Sequence, residues 1–221
     1  MFIGHFALGF AAKKATPKTP LQTLFAASVL ADILWPIFLA LGVEQVVIDP
    51  GNTALTPLDF VSYPYSHSLL MLIVWATVFG GVYFARKKDS RGAMILAALV
   101  VSHWLLDWIT HRPDMPLYPG GPKFGLGMWN WPALTIAVEV AMFAVGVWIY
   151  SRATRSRDAQ GRWGFWFLAL LLLAVYVADA ASGAPPPSVR LIWIAALAGT
   201  AVTLLLAWWV DRHREPANRN G

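Results

Sequence analysis

Apolar runs of membrane length alternate with short polar segments along this chain. Residues 21–41, 66–85, 92–110, 130–150, 163–181 and 189–210 are each long and apolar enough to cross a bilayer as a helix. Residues 1–12 are apolar too, but as a helix they cover only about half of a hydrocarbon core. No basic residue precedes them, and Lys13 and Lys14 follow, so they read as a short re-entrant or half-inserted helix rather than a signal peptide. Pro17 and Pro20 break the chain after it. The remaining breaks are a polar loop over 43–65, basic turns over 86–91 and 152–162, a Gly/Pro-rich loop over 112–129 and a proline run at 185–187. The pattern predicts an all-α, polytopic helical membrane protein of about six transmembrane helices plus the short N-terminal helix. It forms one domain over 1–212 with a polar cytoplasmic tail over 213–221, and the chain is expected to fray from Asp211 onward. No internal repeat and no soluble domain is visible.

Composition strengthens that picture. Hydrophobic residues make up 57% and charged residues only 13%, where soluble domains carry roughly 25% charged. The absence of cysteine excludes disulfides and thiolate ligands. Twelve Trp and six Tyr suit a protein with two membrane interfaces. The net charge of +5 does not point to nucleic acid, because the basic residues lie in the short loops between spans. Of the 17 Lys and Arg, only Arg112, Lys123 and Arg190 fall in one set of alternate loops. All the others fall in the opposite set, which predicts six full spans with both termini cytoplasmic. It also sets depth. His67, Asp107 and His111 lie toward the outer face, and His5, Asp32, His103 and Glu139 lie nearer the middle.

Candidate chemistry centres on the stretch from Ser102 to Asp114. His103, Asp107 and His111 are spaced four residues apart and share one helix face. Ionisable groups in a membrane span are costly unless they pair or bind something. Imidazole nitrogen with carboxylate oxygen is a common donor set for zinc, and it also suits manganese or iron. Further ligands must come from other helices, where His5, Asp32 and His67 are available. Simpler roles stand beside this one. A His103–Asp107 pair can fix helix packing, His67 can be a helix-end histidine, and His5 and Asp32 can bond across helices. Glu139 is either a general base, an orienting group or a protonated side chain bonded to a neighbour. His111 and Asp114 continue the stripe to a rim, as substrate contacts or a helix cap. Trp104 and Trp108 flank the stripe and are placed to wall it from lipid. His213, in the basic tail, is assigned no role.

Gly4-His5-Phe6, Leu30-Ala31-Asp32-Ile33, Tyr65-Ser66-His67-Ser68-Leu69 and Ser102-His103-Trp104-Leu105-Leu106-Asp107-Trp108 occur in an order that resembles a bacterial family. That family is the predicted membrane-bound metal-dependent hydrolases, an inner-membrane group with some members under SOS-repressor control and with similarity to zinc-dependent phospholipase C-like sites. The resemblance covers roughly the first 115 residues and implies a metal site of His5, Asp32, His67, His103 and Asp107. It also implies a bacterial inner-membrane location. Gly125-Leu126-Gly127-Met128-Trp129-Asn130 followed by Glu139 resembles a subgroup of uncharacterised membrane proteins and carries no substrate information. The expected function is therefore a hydrolase holding one or two divalent ions, zinc first. Asp107 and Glu139 are its catalytic carboxylates, and it acts on a phosphoester of a lipid or lipid-linked substrate from the outer side. The same cluster also fits a metal-ion or proton transporter, or a structural metal staple. Membrane lipid is the expected partner and nucleic acid is not; oligomeric state is not legible.

Overall fold

The structure, a computed structural model, describes residues 1–182 and 184–217; Gly183 and the tail beyond Ala217, Arg219 included, lie outside the described residues. Its long helices are α1 (Ile3–Ala15), the pair α2 (Leu21–Ser28) and α3 (Leu30–Ala40), α5 (Leu69–Lys87), α6 (Ser90–Thr110), α7 (Pro132–Ala153), α8 (Ala159–Ser182) and α9 (Val189–Arg212). A single turn, α4 (Pro64–His67), precedes α5. Three small antiparallel ribbons join these helices: β1 (Gln45–Ile48) with β2 (Leu58–Ser62), β3 (Met115–Pro116) with β4 (Lys123–Phe124), and β5 (Thr154–Ser156) with β6 (Arg214–Pro216). Among the described residues, five helices are long and apolar enough to cross a membrane, and α2 with α3 passes as a sixth only when taken together. The protein is thus a polytopic helical membrane protein.

Helix α1 spans about 20 Å. It lies inside the bundle, with Ile3, Phe6, Ala7 and Phe10 buried against α7, α2 and α8. Gly146 of α7 permits this approach, since a Cβ there would collide with the Ala7 backbone. The first N–H groups of a helix have no partner within it. Here Glu139 Oε2 on α7 accepts from the Phe2 and Gly4 N–H groups at 2.8 and 3.2 Å.

The straight span expected over 21–41 is instead broken at Val29, where α2 and α3 meet at 60°. No Gly or Pro lies at the break, and Pro36 sits seven residues further on, within α3. What stabilises the break is tertiary. The Ser28 carbonyl, released from the helical ladder, accepts from His103 Nδ1 at 2.9 Å. A second local feature follows α3: Gly42 adopts φ 69°, and the Val43 and Glu44 N–H groups return to the Phe38 carbonyl. A left-handed residue of this kind closes a helix and turns the chain sharply, and the turn sends Glu44 inward.

The ends of α1, α5, α7 and α9 gather at one pole. Lys13 Nζ is buried against Asp211 at 2.8 Å and the Thr19 carbonyl, Thr19 meets the Tyr83 hydroxyl, and Tyr150 reaches Asp211. The tail does not fray at its start. β6 pairs with β5, and the Arg214 guanidinium bonds Thr154, Ser156 and the Gly161 carbonyl while lying over the Tyr150 and Phe165 rings. His213 Nδ1 bonds Asp158 at 2.7 Å and holds that carboxyl below the ordinary range. The contribution of that contact is present above ordinary carboxylate pH and is lost as pH falls through the lowered value. Arg214→Ala is expected to remove charge-assisted hydrogen bonds of about 2 kcal/mol in all. That corresponds to a melting temperature lower by about 4–8 °C. Thermal melts in detergent and limited proteolysis of the tail check this; an unchanged melt and a protected tail would refute it.

Candidate metal centre

Four elements bring the candidate ligands together at the opposite pole. His5 comes from the first turn of α1, Asp32 from the first turn of α3 beyond the break, His67 from α4, and His103 and Asp107 from successive turns of α6. Ser68 ends α4 and caps α5, which fixes the corner that carries His67. Asp107 lies at the centre. Its Oδ2 is 3.0 Å from His103 Nε2, 3.8 Å from His67 Nε2 and 3.9 Å from His111 Nε2. Its Oδ1 is 3.0 Å from His5 Nε2 and also contacts the Met1 nitrogen. Asp32 Oδ1 is 3.7 Å from both His67 Nε2 and His103 Nε2. The four ligands other than Asp32 are buried, whereas the Asp32 side chain is 38% exposed.

The histidine tautomers follow from the hydrogen bonds. A carbonyl only accepts, so His103 Nδ1 carries the proton that Ser28 receives. The Ser66 hydroxyl donates to Glu44 Oε2 at 2.6 Å, and so it accepts from His67 Nδ1 at 2.7 Å. Glu44 Oε1 also accepts the Tyr65 and Ser66 N–H groups, so this buried carboxylate is fully committed to orienting His67. The Asp114 carboxylate takes His111 Nδ1 at 3.0 Å. When neutral, each of these rings turns an Nε2 lone pair toward Asp107. His103 Nε2 is buried 3.0 Å from Asp107 Oδ2, a spacing that suits a direct ion pair or a shared cation.

Lone pairs facing a buried carboxylate repel unless a cation lies among them. Imidazoles whose other nitrogen is held by a carbonyl or carboxylate are the usual metal-ligating form. Tetrahedral ligands at about 2.0–2.1 Å from an ion stand about 3.3 Å from one another. The contacts of 3.0–3.8 Å among Asp32, His67, His103 and Asp107 bracket that spacing. Two overlapping trios satisfy a looser metal criterion: Asp32, His67 and His103, and His5, His103 and Asp107. The residues present thus fit one divalent ion; a second would have only His5 and a bridging Asp107, because His103 offers a single Nε2 lone pair. His5 stands apart in one respect. Its ring stacks on His103 at 3.7 Å, and its Nδ1 is buried without a partner.

The other sequence candidates are placed differently from one another. Glu139 caps α1 and so positions His5. Trp104 and Trp108 stack on each other at 6.3 Å, and Trp104 donates to the Pro116 carbonyl, so this pair braces the loop that follows α6. The aromatic wall beside the site comes from Phe60, Tyr63 and Trp129 around His111. His111 and Asp114 are buried, not at an open rim. Glu44 was not singled out by sequence reasoning. The only signals were its position just after a helix end and the Ser-His pair it serves.

The model of the YdjM inner membrane protein family matches residues 1–183. The chain belongs to the YdjM inner membrane protein family. That match takes in every residue of the centre and stops before α9. YdjM-family membership supports a bacterial inner-membrane location, in line with the multi-pass fold; the family's description states a place and no reaction. No curated protein and no solved structure matches this YdjM-family chain significantly.

Glu44→Ala is expected to leave the helices intact and to weaken metal binding by about 10–100-fold, as loss of an orienting partner does. Competition of the purified variant with a chromophoric chelator measures this. Wild-type affinity in a folded Glu44→Ala protein would show that the Glu44–Ser66–His67 chain does not orient a ligand.

Proposed function

We propose that this protein is a membrane-embedded, metal-dependent hydrolase acting on a phosphoester of a lipid or lipid-linked substrate. The observation that carries the reading is the set of imidazole Nε2 atoms gathered on the buried Asp107 carboxylate, with Nδ1 of His67 and His103 held from behind. Asp32, His67, His103 and Asp107 would hold the ion, zinc first with manganese or iron as alternatives, and His5 and Asp107 would hold a second if one binds. When bound, such an ion supplies Lewis acidity and a water of lowered pKa. Asp32 is the exposed ligand, so its side is where substrate reaches the centre. Four protein donors are the saturated pattern of a structural zinc site, so a metal-bound water here would need a five-coordinate ion or release of the exposed Asp32. Glu44 and Ser66 keep His67 in its ligating tautomer, and the Ser28 carbonyl does the same for His103. Glu139, with Oε2 occupied by two N–H groups, positions α1 and hence His5 in place of the base role its sequence position suggests. The charge distribution among loops argues for a cytoplasmic C-terminus and a centre opening toward the outer face.

A transporter is the second reading, and the broken α2–α3 span favours it. Interrupted membrane helices with polar groups at the break form ion sites in many transporters, and Asp32 lies just past this one.

Purified wild-type protein is expected to carry at least one equivalent of divalent metal, with His103→Ala and Asp107→Ala losing most of it by elemental analysis. A generic phosphodiester should be turned over by the wild type and not after chelation. Metal-free wild-type protein would refute the metal reading. Chelator-sensitive ion flux in liposomes without turnover would replace the hydrolase with the transporter. For orientation, a C-terminal reporter that is active only in the cytoplasm is expected; activity only outside would reverse the proposed sidedness.

A further inference from the structure

His111 is one residue beyond α6, where an exposed helix cap is the ordinary expectation, yet it is 3% exposed. Its position is built by the glycine-rich segment 125–130. The Leu126 N–H donates to the Trp108 carbonyl at 2.8 Å and the Gly127 N–H to the His111 carbonyl at 2.7 Å, which satisfies two of the free carbonyls at the end of α6. Only glycine fits at 125, where a Cβ would collide with the Arg112 and His111 carbonyls. Gly127 has φ 72° and turns the chain so that Trp129 lies on the His111 ring at 4.0 Å. Phe60 covers the ring at 4.9 Å.

The polar contacts fix the ring's direction as well as its place. Asp114 Oδ1 takes His111 Nδ1 at 3.0 Å and the Tyr63 hydroxyl at 2.6 Å, and Arg112 Nε donates to Asp114 Oδ2 at 3.3 Å. Arg112 in turn pairs with Asp59 on β2. Asp114 is thereby fixed from several sides and holds one tautomer of His111, with Nε2 toward Asp107 Oδ2 at 3.9 Å. A helix cap requires none of this. It needs neither a buried ring, nor a carboxylate on the outward nitrogen, nor a lone pair directed at the central carboxylate.

We propose that His111 is a further ligand of the metal centre, held by Asp114 and Tyr63 and positioned by the Gly125–Gly127 turn. This rests on the metal reading above and extends the ligand set beyond the residues that the family resemblance implies. It also gives the glycine-rich segment a function, that of placing a ligand on the outer side of Asp107. The arrangement at His111 parallels those at His67 and His103. In each, an acceptor takes Nδ1 and Nε2 faces the same carboxylate.

Co²⁺ serves as the probe, because its visible spectrum and its affinity both report coordination. The expected result is that His111→Ala and His111→Gln bind Co²⁺ at least about tenfold more weakly than wild type, with an altered visible spectrum. Millimolar imidazole added to His111→Ala should restore both, which it would not do for a purely structural residue. His213→Ala should match wild type. A folded His111→Ala or His111→Gln protein with wild-type Co²⁺ affinity and spectrum would overturn the proposal. A readout that needs no variant is wild-type protein labelled with ¹⁵N-histidine and loaded with ¹¹³Cd. Coupling to ¹¹³Cd at His111 Nε2 is expected, and an uncoupled His111 Nε2 overturns the proposal even if neither variant folds. Wild-type protein that binds no metal would instead sink the metal reading itself, and this proposal with it.

Discussion

The buried carboxylate of Asp107 is the constraint on which the arrangement depends. Leaving a buried charge without its partner costs about 3–5 kcal/mol, comparable to a large part of a domain's net stability. Around this one group the chain places imidazoles from α1, α4 and α6 and a carboxylate from α3. Their ring nitrogens are oriented by surrounding groups: a carbonyl freed by a helix break, a serine held by Glu44, and Asp114 on the loop after α6. Each of these features is an unusual break or an unusual burial taken alone. Each has a purpose when read as support for lone pairs directed at a single point.

The fold divides the labour between its poles. At the basic pole, Lys13, Asp211, Tyr150 and Arg214 tie α1, α7, α9 and the tail into one cluster. This pole anchors one end of α1, and Glu139 anchors the other, so His5 is presented by a helix fixed at both ends. At the other pole, the β1–β2 ribbon and the 112–131 loop close over the end of α6. Among the candidate ligands only Asp32 retains substantial exposure, and it comes from the half-span that the break redirects.

Much of this was legible in the sequence. The spans followed from apolar run length, and the shared face of His103 and Asp107 followed from helical spacing. His5, Asp32 and His67 were the donors available on other helices, and the family resemblance implied them together; the structure brings His5 and His67 to Asp107 and Asp32 to His67 and His103. The illegible parts have a common physical cause: they are tertiary. The break at Val29 has no Gly or Pro to announce it, because a side chain from α6 satisfies the carbonyl it frees. Glu44 reads as one more loop acid until Gly42 turns it inward. His111 reads as a cap because helical periodicity ends there, and its burial depends on a turn more than a dozen residues downstream. Glu139 reads as a spare carboxylate until the unsatisfied N–H groups of α1 are counted against it. The tail reads as frayed because charge suggests solvent, while Arg214 finds aromatic faces and carbonyls instead.

The central claim is that a divalent cation sits between Asp107 and the imidazole nitrogens that face it. Anomalous diffraction at the zinc absorption edge, from crystals of the zinc-loaded protein in lipidic phase, tests it most directly. The account predicts an anomalous peak within bonding distance of Asp107 Oδ2 and of the Nε2 atoms of His67 and His103. Fully zinc-loaded crystals with no peak at Asp107, and with direct His–Asp hydrogen bonds in its place, would contradict it.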